Sequence, residues 1–228
     1  MRSLEGNKIH ITIDGPAGAG KSTIAQLLAQ KLNYIYIDTG AMYRAVAWLA
    51  LQEQVAPEDE NALGILAEGA KLHFTRDDKG QQQVWLNDMN ITLAIRRPEI
   101  TRFVSKIASV AEVRNALVSK QRALAQFHDV VMDGRDAGTV VLPDAQLKIY
   151  LTASVEARAR RRQLQQKAQG VNQPLESLIN DIATRDLQDQ SRAMSPLKPA
   201  EDALILDNTE MSIEDTIRWI LDKLERIV

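Results

Sequence analysis

The chain has 228 residues, 45% of them hydrophobic and 25% charged, with a net charge of −2. That balance describes one globular unit, or a core domain with insertions, that buries a substantial core and exerts no global attraction on nucleic acid or membrane. Cysteine is absent, which excludes disulfides, thiol nucleophiles and thiolate-held metals, and the longest strongly apolar run, Ala45 to Leu51, is far too short to span a bilayer.

Residues 1–8 are polar and charged with no apolar signal segment, and are expected to form a flexible leader. Ile9, Ile11 and Ile13 then alternate as a first strand, and Ile24, Leu27, Leu28 and Leu32 recur at helical spacing. A second strand is predicted over 34–37 and a helix over 41–52. Between about 61 and 104 the pattern changes. Residues 71–75 and 82–86 flank Asp77-Asp78-Lys79-Gly80, a hairpin signal, and Asn87-Asp88-Met89-Asn90 makes a second turn. This stretch reads as a small inserted α+β subdomain. Helices follow at about 105–126, 154–168, 174–190 and 212–226, the last capped by Ser212, with strands at 130–132, 147–151 and 203–206. Alternation of strand and helix predicts an α/β fold, a parallel sheet flanked by helices that gathers ligands at the carboxyl ends of its strands.

Between the first strand and helix stands Gly15-Pro16-Ala17-Gly18-Ala19-Gly20-Lys21-Ser22-Thr23. This is G-x-x-x-x-G-K-[ST], the loop that wraps the phosphates of a nucleoside triphosphate. Its glycines let backbone N–H groups turn toward phosphate oxygens. Lys21 adds a point charge at the outer phosphates, the Ser22 hydroxyl can ligate Mg²⁺, and the next helix directs its positive end at the same anion. Binding of ATP or GTP is expected.

Three further clusters carry chemistry. Asp38-Thr39-Gly40-Ala41-Met42-Tyr43-Arg44 opens a helix at the end of a strand, where Thr39 and Arg44 can hold a phosphate. A plain helix cap by Asp38 or Thr39 is the alternative. Asp133 closes an apolar strand as an acidic residue that positions Mg²⁺ and its waters does, and Arg135 and Asp136 follow in a turn. That turn reads as a substrate site, or else holds an incidental ion pair. Arg185, Asp189 and Arg192 lie at i, i+4 and i+7, so a helix stacks all three on one stripe, although Arg185–Asp189 is also an ordinary surface pair. Arg158, Arg160, Arg161 and Arg162 crowd the helix upstream. No aromatic residues interleave with them, so a lid that carries arginines to a transferring phosphoryl group fits better than a nucleic-acid patch.

Together these motifs resemble the bacterial cytidylate kinase family: G-P-A-G-A-G-K-S at 15–22, D-T-G-A-M-Y-R at 38–44, D-G-R-D-A-G-T-V-V-L-P-D-A at 133–145, and R-D-L-Q-D-Q-S-R at 185–192 followed by Ser195-Pro196-Leu197. They stand in family order across about 10–208, and only Ala137, often a larger apolar residue in the family, and the leader depart from the pattern. The resemblance implies a P-loop kinase fold with core segments 9–60 and 105–226, a nucleoside-monophosphate-binding insert at 61–104 and a helical lid at about 154–168. It also implies transfer of the γ-phosphoryl group of ATP to CMP or dCMP, with Mg²⁺.

The resemblance further implies residue roles. Gly15 to Thr23 would bind ATP, with Ser22 on the metal and Asp133 reaching it through water. Thr39, Arg44 and Arg135 would hold the CMP phosphate, Ser105, Arg114, Asp136 and Arg192 the cytosine, and Arg185 and Asp189 the sugar. Lys21, Arg135 and Arg161 would form the catalytic set. CMP would lie between insert and core as the lid closes, and its anionic phosphate would need no general base. A cytoplasmic monomer acting on small molecules is expected, with no nucleic-acid or membrane partner. The competing readings are a P-loop kinase for UMP, AMP or a shikimate-like acceptor, and a non-enzymatic nucleotide switch. The N-K-x-D motif expected of a GTPase is absent.

Overall fold

The computed structural model describes residues 8–78, 80–168 and 170–227, so the expected leader lies, except for Lys8, outside the described residues. In chain order the elements begin β1 (His10–Asp14), α1 (Lys21–Leu32), β2 (Ile35–Asp38), α2 (Thr39–Gln52) and α3 (Glu60–Gly69). There follow β3 (Leu72–Arg76), β4 (Gln82–Leu86), β5 (Met89–Asn90), a 3-10 turn at Ala94–Arg96, α4 (Pro98–Ile107) and α5 (Ala111–Ala125). The chain continues with β6 (Val130–Gly134), a π-helical turn at Ala137–Val141, β7 (Leu147–Thr152), α6 (Val155–Ala168), α7 (Leu175–Gln190), β8 (Leu204–Asp207) and α8 (Ile213–Glu225).

The chain divides into two compact units, one running to Tyr36 and resuming at Leu124, the other Ile37–Ala123. The first is built on a five-stranded sheet ordered β2-β6-β1-β7-β8. Its central strand β1 pairs in parallel with β6 and β7, and β7 pairs in parallel with β8. Ile11, Ile13, Val131, Ile149 and Leu151 are buried because a parallel sheet is covered on both faces, which leaves little room for polar alternation. Ile24 and Leu28 of α1 and Ile217, Ile220 and Leu224 of α8 complete this core. β1 lies at the point where the strand order reverses, so its carboxyl end and those of β6 and β7 open where α/β folds take ligands. Helices α6 and α7 form a hairpin with a small core of its own, Ala159, Leu178 and Ile182.

The second unit contains the antiparallel sheet β3-β4-β5. The two-residue turn before β5 places Asn87 at φ 47° and Asp88 at φ 66°, the left-handed pair that joins two strands tightly. This unit is wider than the 61–104 segment marked by turn chemistry, because α2 packs on α3 and α4 and its Ala41 and Ala45 share a core with Val84, Leu86, Ile91 and Ile95. The single helix expected at 105–126 is two. Pro98 opens α4 at a position where no N–H is needed, and the helix stops where the Ser109 hydroxyl donates to the Lys106 carbonyl at 2.7 Å. A new helix begins at Ala111.

Candidate active site

The phosphate-loop sequence forms the turn its glycines require. Gly15 has φ 149°, and a Cβ there would stand 2.0 Å from the Leu151 carbonyl oxygen, so the loop crosses the end of β7 with no room for a side chain. Helix α1 starts at Lys21 without a side-chain cap, and its first-turn N–H groups face the loop as an anion site. Lys21 is buried, and its ammonium donates to the Pro16 carbonyl at 2.7 Å. Burial, reinforced by Arg135, pulls its pKa well below the usual lysine value; Asp133 opposes this, Arg185 adds to it and Asp14 opposes it again. Lys21 thus feels two arginines and two carboxylates at once.

Asp133 is the penultimate residue of β6 and is 4% exposed. One of its oxygens accepts from the Ser22 hydroxyl and the other from the Tyr36 hydroxyl, each at 2.8 Å. The sequence pairs Ser22 with Asp133 as metal residues, and the fold brings them together. Tyr36, which the sequence reading did not single out, fixes the carboxylate from the opposite side. Its signal is a tyrosine one turn of pleat before the end of an apolar strand, too common a feature to stand out.

Arg135 donates through Nε to Asp189 at 2.7 Å, and Arg192 bonds the other oxygen of the same carboxylate. Asp189 is 1% exposed; burial pushes its carboxyl up, but Arg135 and Arg192 outweigh that and hold it below the usual carboxylate range. Arg185 adds to the same field. The continuous stripe expected for Arg185, Asp189 and Arg192 is corrected in one respect. α7 ends at Gln190, so Arg192 returns to Asp189 from the turn beyond the helix, held there as the Leu197 N–H donates to the Asp189 carbonyl at 2.8 Å. Asp136 is buried in the turn after β6.

On α6, the arginines divide by exposure. Arg160 and Arg162 face solvent, whereas Arg158 is buried and Arg161 half-buried. Arg158 donates to the Ala17 carbonyl of the loop at 3.0 Å and pairs with Asp186 of α7 at 2.7 Å. Arg161 bonds the Asn208 side chain at 3.0 Å and its carbonyl at 2.7 Å, and reaches the Ala19 carbonyl at 3.5 Å. The Asn208 amide donates to the same Ala19 carbonyl at 3.1 Å. Asn208, Asp186 and Asp14 were not foreseen as site residues. Each stands at or near a strand end or beside a named arginine, and only the folded chain shows the partner.

The expected residues of the Ile37–Ala123 unit are held locally. Asp38 caps α2, accepting from the Ala41 N–H at 2.7 Å, and its other oxygen pairs with Arg44 at 3.0 Å. Thr39 is the buried first residue of that helix. Arg44 Nε is buried with no hydrogen-bond partner among the described residues, so the guanidinium retains a donor. Arg114 donates to the Ala108 carbonyl at 3.1 Å and lies 5.5 Å over the Tyr43 ring. Ser105 is half-buried on α4.

A family model described as cytidylate kinase matches residues 11–226. A cytidylate kinase of Streptococcus agalactiae serotype V is 47% identical over 223 residues, covering 97% of this chain and 98% of that protein. One of Exiguobacterium sibiricum is 50% identical over 218 residues, covering 96% and 97%. Among solved structures, an uncharacterized protein from Eubacterium ventriosum superposes with a TM-score of 0.54 at 11% identity, over 96% of this chain and 99% of that one, a likeness of fold alone.

Proposed function

The chain belongs to the cytidylate kinase family, and from that premise we propose how its residues divide the work. It is an ATP-dependent nucleoside monophosphate kinase, a phosphotransferase that moves the γ-phosphoryl group of ATP to CMP or dCMP and yields ADP with CDP or dCDP. The observation that carries the residue assignment is the glycine loop with Lys21 buried in it and Ser22 bonded to Asp133 at 2.8 Å. Burial and Arg135 disfavour the charge on Lys21, and a polyphosphate offsets that.

The triphosphate lies on Gly15, Pro16, Ala17, Gly18, Ala19, Gly20, Lys21, Ser22 and Thr23, with loop amides and the α1 N-terminus on its oxygens. Ser22 and Asp133 form an oxygen pair that fits Mg²⁺, a cation that keeps several waters and takes the rest of its shell from phosphate. No cluster of three or more His, Cys, Asp or Glu competes for that role among the described residues. Bound there, Mg²⁺ supplies charge neutralisation at the β- and γ-phosphates. Thr39, Arg44 and Arg135 hold the acceptor phosphate. One of its anionic oxygens attacks the γ-phosphorus in line; the new P–O bond forms as the bond to the β-phosphate oxygen breaks, and ADP leaves. Lys21, Arg135 and Arg161 spread the charge on the transferring group. The segment at about 154–168, which α6 fills from Val155, acts as the lid that excludes water.

Ser105, Arg114, Asp136 and Arg192 read the base, and Arg185 and Asp189 hold the sugar. Cytosine offers a 4-amino donor that suits the Asp136 carboxylate, whereas uracil turns an acceptor toward it. A buried polar site that loses its partner discriminates by about 10⁴-fold or more. Coupled ADP release should therefore be rapid with CMP and dCMP and slower by about that factor with UMP, AMP or shikimate. Comparable efficiency with UMP would remove the base-reading assignment, and ATP hydrolysis indifferent to every acceptor would favour a nucleotide switch. The working form is inferred to be a cytoplasmic monomer with no nucleic-acid partner, supported by a net charge of −2 and no cysteine. No helix among the described residues is long and apolar enough to cross a membrane. A dimer peak in size-exclusion chromatography would refute the monomer.

A further inference from the structure

Asp14 ends β1, one residue before the phosphate loop begins, and it is 5% exposed. Its Oδ1 accepts the backbone N–H of Ala137 at 2.9 Å, and its Oδ2 accepts that of Gly138 at 2.7 Å. Those two amides open the π-helical turn Ala137–Val141, whose preceding residue, Asp136, makes no side-chain cap. The first amides of a helical turn lack partners within it. Here a carboxylate from another strand takes both, one oxygen to each.

The approach is close. A Cβ on Gly138 would come within 2.7 Å of Thr12 Oγ1 and 3.4 Å of Asp14 Oδ2, so the turn lies directly on β1. Burial raises the Asp14 carboxyl to about 6, with the Gly138 and Ala137 amides and Lys21 pulling it back and Asp136 pushing it further up. A turn that needed only one capped amide would be served by a neutral acceptor without that desolvation. Two oxygens at fixed spacing do something more: they set the orientation of the turn.

We propose that Asp14 is a positioning residue for the acceptor nucleotide, holding the Arg135-Asp136 turn in the orientation that meets CMP and registering it to the donor loop that starts at Gly15. The inference rests on the roles given above to Arg135 and Asp136. Through one side chain, the strand that launches the phosphate loop also aims the residues that recognise the acceptor.

Asp14→Asn keeps the size and one acceptor oxygen but turns an NH₂ group toward the second amide. KM for CMP should rise about tenfold or more and the preference for CMP over UMP should narrow, while KM for ATP stays within about twofold. An unchanged KM for CMP overturns the proposal. So does an equal rise in both KM values, which would make Asp14 a support for the phosphate loop. Asp136→Asn, assayed in parallel, separates the two claims. If it leaves the CMP-to-UMP ratio untouched, the base-reading role of Asp136 falls and Asp14 is judged on KM for CMP alone. Should Asp14→Asn fail to fold, Gly138→Ala decides, because its Cβ displaces the same amides. The same split between the two substrates supports the proposal, and its absence overturns it.

Discussion

The arginines of the two compact units are held in different ways. In the unit built on the parallel sheet, Arg135 reaches Asp189 across 54 positions of sequence, and Ser22 reaches Asp133 across 111. In the Ile37–Ala123 unit, Arg44 pairs with Asp38 and Arg114 donates to the Ala108 carbonyl, each only six positions away. The first arrangement exists only when the sheet is assembled; the second follows from a helix cap and a short turn. Damage to the first should therefore harm folding and catalysis together, whereas damage to the second should harm binding with little loss of fold.

The largest effect is expected at Lys21, which the fold buries in the phosphate loop. Lys21→Ala removes charge stabilisation that exists mainly in the transition state, so kcat should fall by about 10³-fold while KM for CMP changes less than about threefold. Steady-state kinetics by coupled ADP release provides the measurement. Equal loss in both parameters would assign the loop to structure and erase the contrast at its strongest point.

Asp189 comes next. Asp189→Ala strands Arg135 and Arg192 with their shared partner gone, and removing one member of a buried ion pair costs about 3–5 kcal/mol. Chemical denaturation should show that loss, with a rise in KM for CMP. Acid should imitate it. The folded carboxyl of Asp189 lies below 3.8, so its stabilisation is complete above 3.8 and is lost as pH falls through the folded value. Asp14 has the opposite sign. Raised from 3.8 to about 6 by burial, with Asp136 adding to the rise and Lys21 opposing it, it makes the folded state dearer by roughly 3 kcal/mol at neutral pH, a penalty removed as pH falls from about 6 to 3.8. Through these two groups stability should rise from pH 7 toward pH 4 and fall below it. A monotonic fall from pH 7 would contradict the Asp14 assignment, and unchanged stability below pH 3.8 would contradict that of Asp189.

The same contrast explains what was legible in the sequence. Glycine spacing, strand alternation and the hairpin turn are local, and they located the loop, β1, α1, β3 and β4. Ser22 was marked by the loop motif, and Asp133 as an acidic residue closing an apolar strand. Tyr36, Asn208 and Asp14 escaped notice because their meaning lies in a partner far along the chain: a carboxylate, a loop carbonyl, a pair of amides. The break between α4 and α5 was hidden for another reason. One serine hydroxyl returning to a carbonyl three residues earlier ends a helix that periodicity alone would continue. Arg192 was assigned to a helix that stops two residues short of it, since a stripe at i, i+4 and i+7 looks the same whether or not the last turn forms.

The smallest effect belongs to the local set. Asp38 does two things at once, capping α2 through one oxygen and holding Arg44 through the other. Asp38→Ala loses both; a lost cap costs about 1 kcal/mol, and in a protein of this size that lowers the melting temperature by about 2–4 °C. Asp38→Asn retains a cap oxygen and loses the charge beside Arg44. Its melting temperature should stay near the parent value while KM for CMP shifts severalfold with kcat unchanged, as expected for a side chain that binds the acceptor phosphate and takes no part in transfer. If Asp38→Asn instead leaves KM for CMP unaltered, Arg44 is placed by the packing of α2 and not by its ion pair. If it lowers kcat as much as it raises KM, Arg44 acts in the transition state, and the local set shares the catalytic role that the long-range set was thought to hold alone.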